Sequence, residues 1–148
     1  MNVTTVGAEE MADITALLGA NGLPTADLSP AVALFGVRDA RGLQGVVGIE
    51  ACGPVGLLRS LAVRTDQRRG GMGSALVLEA ERVAAARGFR ALYLLTTTAE
   101  AFFARRGYVR LARDEAPAEI RGTTEFSTIC PASAAFMRKD MVARGSVT

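Results

Sequence analysis

The sequence predicts a mixed α/β fold, in which a mostly antiparallel sheet carries helices on both faces. Three observations point to it. Two hairpin signals follow one another, Asp39-Ala40-Arg41-Gly42 and Gly53-Pro54, each flanked by strand-like runs. The apolar pattern then changes to helical spacing at Met72, Leu76, Ala80, Val83 and Ala84. Finally, Ala91 to Thr97 is an unbroken apolar and β-branched run, as a strand buried on both sides requires.

Val3-Thr4-Thr5-Val6 reads as a short strand, and Met11, Ile14, Leu17 and Leu18 recur at helical spacing after it. Asn21-Gly22 stops that helix, and Leu23 to Ser29 reads as a loop or broken helix. Ala33 to Arg38, Leu43 to Cys52 and Val55 to Arg64 form the strands of a meander. The central helix ends at Gly88 after Arg87, and another helix spans Ala99 to Arg106 before Gly107. Tyr108 to Ala112 resumes extended structure, Pro117 to Ile129 holds a helical segment, and Ser133 to Met141 is a final strand. Neither repeats nor a linker interrupt this order, so residues 1–148 are expected to form one domain. A domain of that size can bury roughly two-thirds of its unfolded surface.

Hydrophobic residues make up 49% of the chain and charged residues 22%, the balance of a globular protein. Aromatics, at 5%, leave the core to aliphatic side chains. A net charge of +2, from 17 basic and 15 acidic residues, is too even to argue for nucleic acid or an anionic membrane surface as partner. No apolar stretch approaches the ~18 residues of a membrane span. Cys52 and Cys130 cannot build a disulfide framework, and no basic segment leads an apolar run at the N-terminus, so a cytoplasmic location is expected. With no histidine, Ser-His and Cys-His nucleophiles are excluded and a transition-metal site lacks its usual ligands. No metal is expected.

The chemistry is concentrated in Leu57-Leu58-Arg59-Ser60-Leu61-Ala62-Val63-Arg64, followed by Arg68-Arg69-Gly70-Gly71-Met72-Gly73-Ser74 directly before the central helix. Strand, glycine-rich turn and helix make an anion site. Glycines let backbone N–H groups turn toward a ligand, and the helix start adds further donors and the positive end of a dipole. A pyrophosphate suits such a cradle, with Arg68 and Arg69 at its rim. The same residues also fit a plain glycine-rich helix cap with solvated arginines. The ATP-binding loop, with four residues between its glycines and then Lys and Ser or Thr, is absent. The dinucleotide fingerprint needs Gly or Ala three residues after Gly73, where Leu76 stands, and it opens a parallel sheet rather than following a meander.

Arg68-x-x-Gly71-x-Gly73, after Leu61-Ala62-Val63 and before Leu76, resembles the acyl-CoA pyrophosphate motif of the GNAT N-acyltransferases. Ala99-x-x-Phe102-Phe103-x-x-x-Gly107-Tyr108 resembles that superfamily's second signature, the helix and strand that flank the pantetheine arm. The order of elements matches over nearly the whole chain. The resemblance implies acetyl-CoA as cosubstrate, admitted where the fourth and fifth strands splay. It further implies that the main chain of Leu61, Ala62 and Val63 holds the pantetheine, and that the amides of Arg69, Gly70, Gly71, Met72, Gly73 and Ser74 hold the pyrophosphate. Of Phe102 and Phe103, one is expected to pack into the core and the other to flank the cofactor. A narrower likeness links the chain to small acetyltransferases of arsenic-resistance gene clusters. It rests on Leu23-Pro24-x-x-Asp27-Leu28, Leu58 to Val63, Thr96-Thr97-Thr98-Ala99 with Phe102-Phe103, and Glu125-Phe126 with Cys130-Pro131. The tail is also similar to N-acetylglutamate synthases, which implies an amino-acid-like acceptor.

Acetyl transfer needs a neutral amine near the thioester, donors for the oxyanion and a proton for the departing thiolate. In many GNAT enzymes a tyrosine of the second signature supplies that proton, and Phe103 takes its place here. Of the two tyrosines, Tyr108 matches a packing position and Tyr93 lies mid-strand. Glu50, at a strand end, is the candidate base, acting directly or through water; it also fits a solvated carboxylate. Arg59 sits among Leu57, Leu58, Leu61 and Val63, where an unpaired guanidinium is costly. It therefore needs an anion, either an internal carboxylate or that of the acceptor. Cys130 either lines the acceptor cleft, as a soft ligand or proton donor, or simply fills the core. The reading is an N-acetyltransferase acting on the amine of a small acceptor, with homodimer pairing through the C-terminal segment. An acyl-CoA-binding module with little catalysis and a protein N-acetyltransferase are the alternatives.

Overall fold

The computed structural model describes residues 2–23, 32–64, 71–123, 126 and 134–141. In chain order its elements are β1 (Thr4–Thr5), α1 (Met11–Ala20), β2 (Val32–Asp39), β3 (Gly42–Cys52), β4 (Val55–Val63) and α2 (Met72–Ala86). They continue with β5 (Ala91–Thr96), α3 (Glu100–Ala104), β6 (Val109–Leu111), α4 (Ala118–Arg121) and β7 (Ala135–Asp140). The chain divides into two compact units, Met1–Glu50 with Leu58–Val83, and Ala51–Leu57 with Ala84–Thr148. Because β3 and β4 each belong to both, the strands run β1-β2-β3-β4-β5-β7-β6 in one seven-stranded sheet.

In the first unit β1 pairs antiparallel with β2, and β2 pairs antiparallel with β3 from Val32↔Glu50 to Asp39↔Gly42. The second ladder slips once. Val37 faces Gly45 and Arg38 faces Leu43, so Gln44 is the extra residue of a β-bulge. Leu43 and Val46, three residues apart, consequently both join Ile14, Leu17 and Leu18 of α1 and Ala62 of β4 in one core. Gly45 turns the other way, toward α2: a Cβ there would lie 2.8 Å from Met72 Sδ and 3.0 Å from Leu76 Cδ1. Helices thus cover both faces of this part of the sheet. Arg38 donates to Glu10 at 2.5 and 2.7 Å and to the Thr5 carbonyl at 2.9 Å, tying β2 to β1 and to the turn before α1. These hydrogen bonds hold the Glu10 carboxyl below its ordinary range.

In the second unit β5 runs parallel to the start of β4, through Gly56↔Leu92 and Leu57↔Tyr93. It pairs antiparallel with β7, which in turn pairs antiparallel with β6. Cys52, Val55, Leu57, Ala91, Tyr93, Ala116, Ile120 and Phe136 form its core, with the Tyr93 and Phe136 rings stacked at 5.4 Å. The sheet is mostly antiparallel, as the meander and the hairpin signals require.

Three helices end alike. The amides of Leu23, Phe89 and Tyr108 donate back to the carbonyls of Leu18, Ala84 and Phe103, around Gly22, Gly88 and Gly107 at φ 69°, 79° and 93°. This is the left-handed turn that glycine takes without strain. The helix expected over Ala99–Arg106 is shorter than its pattern. The Ala99 amide donates to Thr96 Oγ1 before its first residue, and the Gly107 turn closes it. The helical segment expected within Pro117–Ile129 is the single turn of α4, closed at Gly122. The loop expected over Leu23–Ser29 lies outside the described residues from Pro24 on. No helix among the described residues is long and apolar enough to cross a membrane.

The contact between Gly45 and α2 can be tested. Gly45→Val should overpack Met72 and Leu76, costing about 1–3 kcal/mol. Chemical denaturation should show a lower midpoint with an unchanged slope.

Candidate active site

Every residue of β4 is buried except Leu61, which is partly exposed. The strand therefore reads as an apolar run, and Arg59 and Ser60 stand out in it. Arg59 is buried to 1% exposure of its side chain, and its Nη1 donates to Glu50 Oε1 at 3.1 Å. Two residues singled out from sequence are thereby brought together. The two-residue turn at Gly53-Pro54 sets Cys52 opposite Val55, which leaves Glu50 and Arg59 as diagonal neighbours on one face. Of the two anions open to Arg59, the internal carboxylate is the one the structure places beside it. Glu50 keeps 21% of its side chain exposed, so the pair is buried at one end and reachable by water at the other.

Ser60 follows with φ 58°, a left-handed conformation inside a strand. That is uncommon for a residue with a side chain. Arg59 Nε lies 3.4 Å from Ser60 Oγ, which accepts its hydrogen bond. No sequence signal announced this conformation, because serine carries no preference that demands it.

Beyond β4, the amide of Arg64 donates to the Gln44 carbonyl at 2.9 Å, holding the strand's end against β3. Gly71 stands immediately before α2 at φ 78°, and its carbonyl accepts the first intrahelical bond, from the Ala75 amide, at 3.1 Å. The amides of Met72, Gly73 and Ser74 therefore lie in the first turn of α2, ahead of that bond. No acidic residue lies in that first turn, so nothing there opposes an anion. A Cβ on Gly71 would meet nothing within 4 Å; the backbone conformation, rather than crowding, is what calls for glycine. Arg68, Arg69 and Gly70 of the expected cradle, and Cys130 of the expected acceptor cleft, lie outside the described residues.

In the second unit Phe103 is 4% exposed and meets Phe102 and Tyr108 edge to face at 5.1 and 5.4 Å. Phe102 is partly exposed, with the Arg106 guanidinium 3.5 Å above its ring. Phe103 is therefore the core member of the pair and Phe102 the accessible one. Tyr108 is 2% exposed, and its ring carries Lys139 Nζ at 5.6 Å.

Residues 31–110, more than half of the chain, match the sequence model of the acetyltransferase (GNAT) domain. The chain belongs to the GNAT acetyltransferase family. No curated protein matches it in sequence. Among solved structures the GNAT domain is similar to N-acetylglutamate synthase from Neisseria gonorrhoeae complexed with coenzyme A and N-acetyl-glutamate, at TM-score 0.76 and 19% identity. That match takes in 96% of this chain but 36% of the synthase, so this chain spans about a third of it. It is also similar to Rv2747 from Mycobacterium tuberculosis in complex with CoA and NLQ, at TM-score 0.79 and 17% identity over 96% of this chain and 100% of that one. The ribosomal-protein-S18-alanine N-acetyltransferase from Escherichia coli matches at TM-score 0.74 and 14% identity, over 99% and 98% of the two chains. At such identities the likeness establishes the fold alone, a GNAT-like sheet with helices.

Breaking the buried pair should be costly. Arg59→Met should destabilise the GNAT domain by about 2–3 kcal/mol. That is below the ~3–5 kcal/mol of a fully buried pair, because the Glu50 carboxylate left behind still reaches water. Urea unfolding of the purified variant measures this, and a loss under about 0.5 kcal/mol would contradict the pairing.

Proposed function

We propose that residues 1–148 form a single cytoplasmic N-acetyltransferase domain that moves an acetyl group from acetyl-CoA to the amine of a small, carboxylate-bearing acceptor. The observation that carries this reading is the start of α2, where left-handed Gly71 precedes the Met72, Gly73 and Ser74 amides in an acid-free first turn. Those donors suit the pyrophosphate, together with Arg68, Arg69 and Gly70 by family resemblance. Leu61, Ala62 and Val63 would hold the pantetheine by main-chain hydrogen bonds. The ladder with β5 supports this, since it lies at the start of the strand, upstream of these residues. Phe102, the accessible ring of its pair, would flank the cofactor.

The chain's own residues then have these tasks. Positioning of amine and thioester supplies much of the rate. Glu50, partly exposed at the open end of its pair, takes the proton of the incoming ammonium directly or through water. Arg59, while holding Glu50, directs positive charge toward the acceptor's carboxylate, and Cys130 lines the acceptor cleft. Resemblance of the tail to N-acetylglutamate synthases supports an amino-acid-like acceptor, and resemblance to the acetyltransferases of arsenic-resistance clusters supports a role in arsenic resistance. The gonococcal synthase is complexed with N-acetyl-glutamate, the acetylated form of a carboxylate-bearing amino acid. Pairing through the C-terminal segment gives a homodimer in this reading.

One observation favours a second reading, a module that binds acyl-CoA with little turnover. The family's acid position carries Phe103, which has no hydroxyl and is packed edge to face against Phe102 and Tyr108. Thiol release from acetyl-CoA across a panel of amino-acid acceptors distinguishes the two: turnover with any of them supports the transferase. Gly71→Glu tests the cofactor site itself. It forces a side chain and a negative charge into a left-handed position at the helix start, and should weaken acetyl-CoA binding at least about 100-fold, roughly two steps of 1.4 kcal/mol. Calorimetry on the folded variant reads the change; unaltered affinity would sink the assignment.

A further inference from the structure

We infer that the Ser60 hydroxyl is the group that hands a proton to the coenzyme A sulfur, with Arg59 and Glu50 holding it in place. The inference rests on the acetyl-CoA reading above and adds a residue to it.

Four features point to Ser60. Its φ of 58° is the sole positive value among the described non-glycine residues. Such a conformation is strained for a residue with a side chain and gathers at functional sites. Its oxygen accepts a hydrogen bond from Arg59 Nε at 3.4 Å, and Arg59 Nη1 is anchored on Glu50 at 3.1 Å. A hydroxyl has one proton, so an oxygen that already accepts from Arg59 directs that proton elsewhere. The neighbouring guanidinium also eases negative charge on the oxygen.

Location is the third feature. With the pyrophosphate at the start of α2 and the pantetheine running from Val63 back to Leu61, at about 3.3 Å per residue, the next residue toward the thioester is Ser60. The fourth is the state of the rings. Phe103 has no hydroxyl, Tyr93 is stacked on Phe136 in the second core, and Tyr108 is packed against Phe103. The family's acid position, held by Phe103, therefore supplies no proton.

The step balances. The acceptor nitrogen forms its bond to the carbonyl carbon, the carbon–sulfur bond breaks, and sulfur leaves with the electron pair. Sulfur takes the Ser60 proton, and the serine oxygen takes the proton shed by nitrogen. One proton has passed from nitrogen to sulfur, and the serine is restored.

The described neighbours of this stretch are largely apolar. α1 contributes Ile14, Leu17 and Leu18 to the core beside this sheet, and α2 lays Met72 and Leu76 on Gly45. On β2, Val32 and Leu34 lie against Gly48, which itself neighbours the Arg59 carbonyl. Among the described residues named on these elements, the charges at this stretch are Arg59 and Glu50.

The test needs no acceptor. Coenzyme A with its free thiol is bound to the wild-type protein, to Ser60→Gly and to Ser60→Ala, and thiolate absorbance is followed against pH. Protein alone serves as blank for Cys52 and Cys130. Glycine accepts φ 58°, so that variant keeps the backbone, and alanine controls for glycine's freedom. Calorimetry with desulfo-coenzyme A verifies occupancy in all three. A hydroxyl donating to sulfur stabilises the thiolate, so the bound thiol should titrate at least about one pH unit lower in the wild type than in either variant. Desulfo-coenzyme A should bind all three alike. Identical thiol titrations would overturn the role of Ser60 and leave the cofactor site standing. Failure of both coenzyme A forms to bind the wild type would overturn the cofactor reading and this inference with it.

Discussion

β4 has to meet three demands with nine residues. It is buried along nearly its whole length, so its side chains must be apolar enough to leave water. It supplies Val55 and Leu57 to one core and Ala62 to the other, so its two ends belong to different compact units. And it has to deliver the chain to the start of α2. Arg59 and Ser60 interrupt this strand at the place where the demands meet. A guanidinium buried to 1% exposure is tolerable because Glu50 lies 3.1 Å away on the neighbouring strand. The pairing follows from the tight turn at Gly53-Pro54, so a local feature of the hairpin decides whether the charge can be accommodated at all.

In the proposed site, the cofactor surface beyond that strand is built with little help from side chains. The donors at the start of α2 are backbone amides, made available by helix geometry and by the left-handed turn at Gly71. This is why a chain of nearly balanced charge can belong to a family that handles a highly anionic cosubstrate. The positive field is local, built from a helix end, and leaves little trace in the composition. The bulge at Gln44 adds further control, shifting the side-chain alternation of β3 so that both Leu43 and Val46 meet α1 while Gly45 admits α2.

Periodicity made most of the fold legible. The meander, the central helix with its buried Met72, Leu76, Ala80, Val83 and Ala84, and the final strand all stand where spacing put them. Glycines marked the helix ends because only the left-handed turn satisfies the last carbonyls there. Helix lengths were less legible. α3 and α4 are shorter than expected, since the turns at Gly107 and Gly122 close them early. At the site, the glycines and Arg59 were visible as anomalies of type, a flexible run and a charge in an apolar strand. The partner of Arg59 was within reach of register arithmetic across the hairpin. Ser60 was not, because a left-handed serine is set by tertiary context and has no compositional mark. The packing of Phe103 and the exposure of Phe102 likewise depend on how Tyr108 and Arg106 close around them.

The central claim is that acetyl-CoA lies along the end of β4 and is gripped at the start of α2. Amide hydrogen exchange with and without acetyl-CoA examines this most directly, since the proposed contacts are made by the amides themselves. The account predicts slowed exchange at Leu61, Ala62 and Val63 and at Met72, Gly73 and Ser74, with α1 and β1 unaffected. Protection confined to other segments, with these two stretches exchanging as in the free protein, would contradict it.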